Sequence, residues 1–455
     1  MPAIELLLIF LVFPILIWSI FTRRARPRWM DFLPLLSVVL AVVDYRLEAN
    51  PWRMYPAYAL VGLVFIFTLP RLLRPSREPA KHPVWSFIGA FLGLFLFVIA
   101  AALPVLVPMK TVTPSGPLPV GTVTYVWDDP ARIDPYAPEP GQARRLVVQF
   151  WYPQEKEAPA GAVSGAQPIY PVVVFSHGGF GLRLSNISTY RELASRGYIV
   201  ASLDHTYQSI ATIVPGSGVI LASPEYQALL QGALDGDSEA DAGMRQALEI
   251  RVADVRFVLD RLERLNQDPA SSILSGRLDL ARVGLFGHSL GGATAAQVCR
   301  VDSRCKAMLD IDGTISGDVT GIDAAGQAQF VEAGFQQPVM FLNSGNLYND
   351  PVYQPGYAPN RSAFDRAVLP AYNLVLAGAE HLNMTDLPLV VSPQLFPLLG
   401  ERQAQAGSIS PERSARIIGA YTAAFFDRYL KELPAPLLEG PSADYPEVTF
   451  EARNQ

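Results

Sequence analysis

Charged side chains are scarce in this chain, 17% of 455 residues, against roughly a quarter in ordinary soluble proteins. Half of the residues are hydrophobic. That balance argues against a single water-soluble domain. Cysteine is nearly absent: two residues exclude both a disulfide-stapled scaffold and an array of zinc fingers. Histidine is also rare, five in all, so the search for a catalytic imidazole becomes one of elimination. The long acidic portion carries no basic run, which excludes nucleic acid as a partner.

The charge that is present is divided unevenly. Residues 1–110 hold 11 Lys and Arg against 5 Asp and Glu, a net of +6, whereas residues 111–455 hold 25 against 37, a net of −12. The basic portion reads as a transmembrane segment of about four helices. Residues 3–21 form an apolar run close to the roughly 20 residues that cross a bilayer, too long and too poor in an initial basic stretch for a cleaved signal peptide. Further runs lie at about 32–43, about 55–70 and 84–107. The second is short and is followed by Asp44, Arg46 and Glu48, so three spans and four both fit. Arginine and lysine are retained on the cytoplasmic side. They crowd the loop after the first run (Arg23, Arg24, Arg26, Arg28) and the loop before the last (Arg71, Arg74, Arg77, Lys81). With four spans this puts residues 111–455 outside the cytoplasm.

From residue 111 onward the pattern changes to alternating strand and helix. TVTYVW and RRLVVQFWYP suggest a strand pair. From Pro171, continuous Val, Leu, Ile and Phe runs alternate with helical segments, which predicts a mostly parallel sheet covered by helices on both faces. Residues 157–170 suggest a surface loop. Residues 212–240, rich in Gly, Ser and Asp, interrupt the alternation and are expected to form an insertion above the strand ends that acts as a lid.

Gly287-His288-Ser289-Leu290-Gly291 follows the strand RVGLF and opens a helix. A tight strand-to-helix turn needs small residues around the nucleophile, and it lifts the Ser289 hydroxyl above the sheet. A serine hydroxyl needs a base, and in this arrangement the chain order is serine, acid, histidine. His82, His177, His205 and His288 precede or sit beside Ser289, which leaves His381 as general base. The acid lies among Asp310, Asp312 and Asp350; Asp312, at the tip of KAMLDID, is nearest the carboxyl edge of the sheet, where such sites are built. Donors to a tetrahedral oxyanion are expected from the backbone N–H of Leu290 and from the loop His177–Gly181, with Gly179 at its centre.

GHSLGGAT, VVVFSHGGFG, SRGYIVASLDHTYQS, PLPVGTVTYVWDD with VVQFWYP, and GAEHLNMTD together resemble the plasma-type platelet-activating-factor acetylhydrolases and their bacterial relatives, in the family's order over roughly residues 115–430. The resemblance implies an α/β-hydrolase fold and a calcium-independent serine esterase that favours short or oxidised acyl chains and needs no cofactor. It also implies Ser289, Asp312 and His381 as the catalytic set, with Gly179 and Leu290 as oxyanion donors. The apolar N-terminal runs and residues 212–240 fall outside it. The expected partners are a lipid or small ester substrate and the bilayer.

Two other classes compete. Asp310-Ile-Asp312-Gly313-Thr314 also spells the DxDGT signature of a magnesium phosphatase, but the only lysine after Thr314 is Lys431, with no strand-borne acid pair after it. A hydrolase fold kept as a non-catalytic binding module is the third reading. Cys299 and Cys305, six residues apart, either bridge or remain two small buried thiols.

Overall fold

The computed structural model describes residues 3–21, 26–47, 52–73, 83–154, 168–268, 272–324, 326–399, 405 and 407–453. Arg23, Arg24, Glu48, Arg74, Arg77, Lys81, His82 and most of the expected surface loop at 157–170 lie outside the described residues. The chain divides into two compact units, Met1–Lys110 with Leu389–Leu399, and Thr111–Pro388 with Gly400–Gln455.

The first unit is helical: α1 (Ala3–Phe10), α2 (Phe13–Phe21), α3 (Leu33–Leu47), α4 (Tyr55–Leu73) and α5 (Pro83–Leu106). The first apolar run is therefore two helices instead of one. Pro14 cannot donate to the carbonyl of Phe10 and its ring crowds that carbonyl, so the helix ends at Phe10 and restarts. The segments Ile4–Phe21 (mean hydropathy 2.6) and Trp52–Leu73 (1.7) are long and apolar enough to cross a membrane. Helix α3 has 15 residues, about 22 Å of rise against a hydrocarbon core of about 30 Å. Its Asp44 accepts a hydrogen bond from the Tyr58 hydroxyl at 2.7 Å. Glu5 is fully buried and paired with Arg53 at 2.7 Å. Charges among these apolar helices thus have partners, which offsets the cost of withdrawing them from water.

The second unit is built on a nine-stranded sheet among the described residues. In chain order its strands and those of two small hairpins are β1 (Val120–Ile133), β2 (Ala143–Pro153), β3 (Tyr170–Ser176), β4 (Ile199–His205), β5 (Ala211–Val214), β6 (Gly218–Leu221), β7 (Leu278–His288), β8 (Cys305–Ile311), β9 (Val319–Ile322), β10 (Ala328–Phe330), β11 (Val339–Ser344), β12 (Ala371–Leu376) and β13 (Val448–Arg453). The order across the large sheet is β1-β2-β4-β3-β7-β8-β11-β12-β13. The six strands from β4 to β12 pair in parallel, and β1, β2 and β13 add antiparallel edges.

Strands β4, β11 and β12 are buried along their whole length, as their unbroken apolar runs require. Alternate residues feed two cores: Val172 and Val174 join one face with Leu285 and Phe341, while Val173 and Phe175 join the other with Phe286 and Met340. The flanking helices include α6 (Ile187–Ser195), α7 (Pro224–Leu234), α8 (Ser238–Gln267), α9 (Leu290–Val301), α10 (Gly345–Tyr348) and α11 (Ala358–Asp365), followed by a long C-terminal helix, Pro411–Leu430.

The insertion expected at 212–240 holds regular secondary structure. Its first part pairs as the β5–β6 hairpin, and α7 follows, started by Ser223, whose side chain accepts from the amide of Tyr226 at the helix N-terminus. Strand β13 was not expected; VTFEAR is short and half polar, and it pairs antiparallel only because β12 presents it an open edge. Cys299 and Cys305 form a disulfide that ties the end of α9 to the start of β8, with Cα atoms 5.2 Å apart.

Candidate active site

The five residues singled out in the sequence stand just beyond the carboxyl ends of four parallel strands: Gly179 after β3, Ser289 and Leu290 after β7, Asp312 after β8 and His381 after β12. In an open parallel sheet this edge is where side chains from distant segments converge.

Ser289 has φ +55° and ψ −125°, a backbone conformation that L-residues rarely adopt. Strain of this kind costs about 1–3 kcal/mol and persists only where the surroundings enforce it. Here the Ser289 N–H donates to Ile311 O on β8 at 2.9 Å, and its carbonyl accepts from Gly292 N at 2.8 Å at the start of α9. The turn also requires glycine at two points. A Cβ on Gly287 would collide with the backbone of Gly291, and one on Gly291 would collide with the Ser176 carbonyl. Leu290 opens α9, so its N–H belongs to the first turn, where no intrahelical acceptor exists.

Asp312 and His381 meet. His381 Nδ1 lies 2.7 Å from Asp312 Oδ2. The other carboxylate oxygen of Asp312 accepts from Ser344 N at 2.7 Å and from the Tyr357 hydroxyl at 3.0 Å. Asp312 is buried, which alone would push its pKa up; the His381 hydrogen bond and charge and the Ser344 amide outweigh burial and hold it below the usual carboxylate range. His381 begins a short 3-10 turn, His381–Met384, that Glu380 and Asn383 cap reciprocally. The His288 ring lies against the His381 ring, centroids 4.5 Å apart, and His288 Nε2–H donates to the His381 carbonyl at 3.2 Å. Burial, reinforced by the neighbouring His381, lowers the His288 pKa to about 3, so this second imidazole stays neutral.

The competing acids stand elsewhere. Asp310 is in β8, but its oxygens accept from Asn360 Nδ2 at 2.9 Å and Gly313 N at 3.0 Å. Burial first, and then the charge of Asp312, raise its pKa to about 8. Asp350 closes an exposed turn by accepting from Val352 N at 2.8 Å. Lys431, which a phosphatase would need at the site, donates to the Arg196 carbonyl at 2.6 Å and sits over the Tyr198 ring. Among the described residues no three His, Cys, Asp or Glu side chains group as a metal site.

Several groups around the site carried no readable signal in the sequence. Ser344, Tyr357 and Asn360 come from β11 and the helical segments after it, brought to the two aspartates only by sheet order. Beneath the loop after β3 lies a second hydrogen-bonded serine, histidine and aspartate. Ser176 Oγ is 2.8 Å from His205 Nε2, and His205 Nδ1 is 2.8 Å from Asp254 Oδ2, which Arg144 also grips at 2.6 Å. All four are buried. Substrate cannot reach Ser176, so this array is part of the packing.

A family model described as platelet-activating factor acetylhydrolase, isoform II, matches residues 154–433, well over half of the chain and all of the strand-end residues above. The chain belongs to this acetylhydrolase family. Among curated relatives, it is 25% identical over 295 residues to a probable 1-alkyl-2-acetylglycerophosphocholine esterase of Arthroderma benhamiae, covering 62% of this chain and 66% of that protein. It is 26% identical over 274 residues to the platelet-activating factor acetylhydrolase of Cavia porcellus, covering 57% and 58% respectively. The chain thus spans less than two thirds of the length of these relatives. A solved structure, a ferulic acid esterase from Streptomyces cinnamoneus, superposes with TM-score 0.56 and 29% identity over 74% of this chain and 98% of that one. The acetylhydrolase family member described here therefore has an α/β-hydrolase fold.

Proposed function

We propose that the chain is a membrane-anchored serine carboxylic ester hydrolase that acts on short-acyl or oxidised lipid esters through an acyl-enzyme. The observation that carries this reading is the 2.7 Å pairing of His381 Nδ1 with Asp312 on the sheet edge that also bears the strained Ser289 turn. Asp312 holds the imidazole with Nδ1 protonated, leaving Nε2 free to take the Ser289 proton as its Oγ attacks the ester carbonyl. The negative oxygen that forms is received by the N–H groups of Gly179 and Leu290. His381 then passes the proton to the leaving alcohol, and later activates the water that releases the acyl group.

The names of the acetylglycerophosphocholine esterase and the ferulic acid esterase support an ester as substrate. The +6 helical segment supports an anchor, and the arginine distribution supports an extracytoplasmic site. A fluorophosphonate probe tests the chemistry. Intact-mass analysis should find one adduct per chain, on Ser289, together with hydrolysis of p-nitrophenyl acetate; a folded protein that takes no adduct at Ser289 would overturn the reading.

A further inference from the structure

Arg251, in the middle of α8, is completely buried, yet its hydrogen bonds go to carbonyls, an amide and a phenol, none of them a carboxylate. Burying a charge in this way is costly unless dipoles compensate it. Four of the five acceptors lie on two segments. Nη1 donates to His177 O at 2.6 Å and Nη2 to Gly178 O at 3.3 Å, both on the loop after β3. Nε donates to Gln208 Oε1 at 2.7 Å and Nη2 to Gln208 O at 3.3 Å. The fifth is the Tyr226 hydroxyl on α7, 3.1 Å away, and Tyr226 in turn donates to Gly179 O at 3.1 Å.

Peptide geometry gives these contacts a consequence. The Gly178 carbonyl and the Gly179 N–H belong to one planar trans peptide, so they point in opposite directions. Whatever fixes the carbonyl inward fixes the N–H outward. Three donors fix it: Arg251 Nη2, Gly181 N at 3.1 Å, and His177 Nδ1 at 2.7 Å. The His177 tautomer is set from behind, where Nε2 accepts from Ser209 Oγ at 2.7 Å and His205 N at 3.3 Å. The Gly178 Cα faces the nucleophile: a Cβ built there would lie 3.2 Å from Ser289 Cβ. A cation on the carbonyl also withdraws electron density from the amide, which strengthens its N–H as a donor.

We infer that Arg251 is a positioning residue for the oxyanion hole, orienting and polarising the Gly178–Gly179 peptide directly, and that Tyr226 extends this hold to the next peptide. The inserted segment that carries Tyr226 is then a built part of the oxyanion loop's support. This inference rests on the esterase reading above.

The test uses the full-length protein in detergent, with p-nitrophenyl acetate as substrate and an aryl trifluoromethyl ketone, whose adduct with Ser289 carries the oxyanion. Arg251→Met should lower kcat at least thirtyfold with KM changed less than threefold, and weaken the ketone by the same factor as kcat/KM. Arg251→Lys should recover part of the loss, since one ammonium reaches one carbonyl but not both. Tyr226→Phe, a milder change, should lower kcat three- to tenfold with the same parallel loss of ketone affinity. Unchanged kcat and ketone affinity in folded Arg251→Met overturn the inference. If that variant does not fold, unchanged values in Arg251→Lys and Tyr226→Phe overturn it equally. Activity surviving in Ser289→Ala would instead overturn the esterase reading, a result separable from either outcome.

Discussion

The Tyr357 hydroxyl donates to Asp312 Oδ1 at 3.0 Å, on the oxygen opposite the one that faces His381. With the Ser344 amide at 2.7 Å, it completes the set of donors that keeps this buried carboxylate ionised. Hydrogen bonds to charged groups contribute about 1.5–3 kcal/mol, and here one of two such supports would be lost. Tyr357→Phe should therefore lower kcat roughly tenfold while leaving the unfolding midpoint within a few degrees. An unchanged kcat would show that the Ser344 amide is sufficient.

Substitutions among the acids should separate sharply. Ser289→Ala and His381→Ala are expected to remove ester hydrolysis while the protein still folds. Asp312→Asn should cost about three orders of magnitude in kcat, as it withdraws the anion that orients His381. Asp310→Asn should cost less than tenfold, because Asp310 bonds Asn360 and Gly313 instead of the imidazole. Steady-state rates on one short-chain ester suffice to rank all four.

Asp310 also gives a pH signature. Its pKa is raised from 3.8 to about 8 by burial and by Asp312, so between those values the folded protein keeps a proton that the unfolded chain has released. Stability present below the unfolded value is then lost as pH rises through the folded one. Thermal inactivation midpoints should fall from pH 5 to pH 8.5 in the native protein and fall less in Asp310→Asn. Parallel slopes in the two proteins would remove Asp310 as the cause.

The Cys299–Cys305 bridge closes a short loop. Chain-entropy arguments give a loop of this size about 2 kcal/mol. Mass spectrometry with and without reductant should show a shift of two hydrogens, and Cys299→Ser with Cys305→Ser should lower the unfolding midpoint by several degrees while keeping kcat, since neither cysteine approaches Ser289's turn.

Reporter fusions test the anchor. A protease site placed after Lys110 should be cut from outside intact cells, and one placed beside Arg26 should be protected. Protection at both sites would put the hydrolase unit in the cytoplasm and favour three spans.

Much of this molecule is legible in linear order. The apolar runs, the charge division, the parallel-sheet strands, the small-residue turn around Ser289 and the elimination that leaves His381 all depend on local composition, spacing or chain order. Local detail is where linear order shows least: one proline divides the first apolar run, and the insertion at 212–240 contains the β5–β6 hairpin and α7. No continuous apolar run marks that helix, because one face of α7 is exposed while Tyr226 and Leu230 pack inward.

The sequence by itself determined that two unlike portions exist, which strands carry chemistry at their ends, and that the acid had to be one of three aspartates. Only the tertiary structure decided that His381 meets Asp312 and not Asp310. The two differ by two positions on one strand, and alternation cannot separate them. They part because Asp312 lies just past the end of β8 with φ +52°, turned toward His381, while Asp310 is still held in the strand by Asn360. The same holds for Arg251 and Tyr226: their partners lie 25 to 74 residues away along the chain, and long-range polar contacts leave no periodicity for a sequence to show.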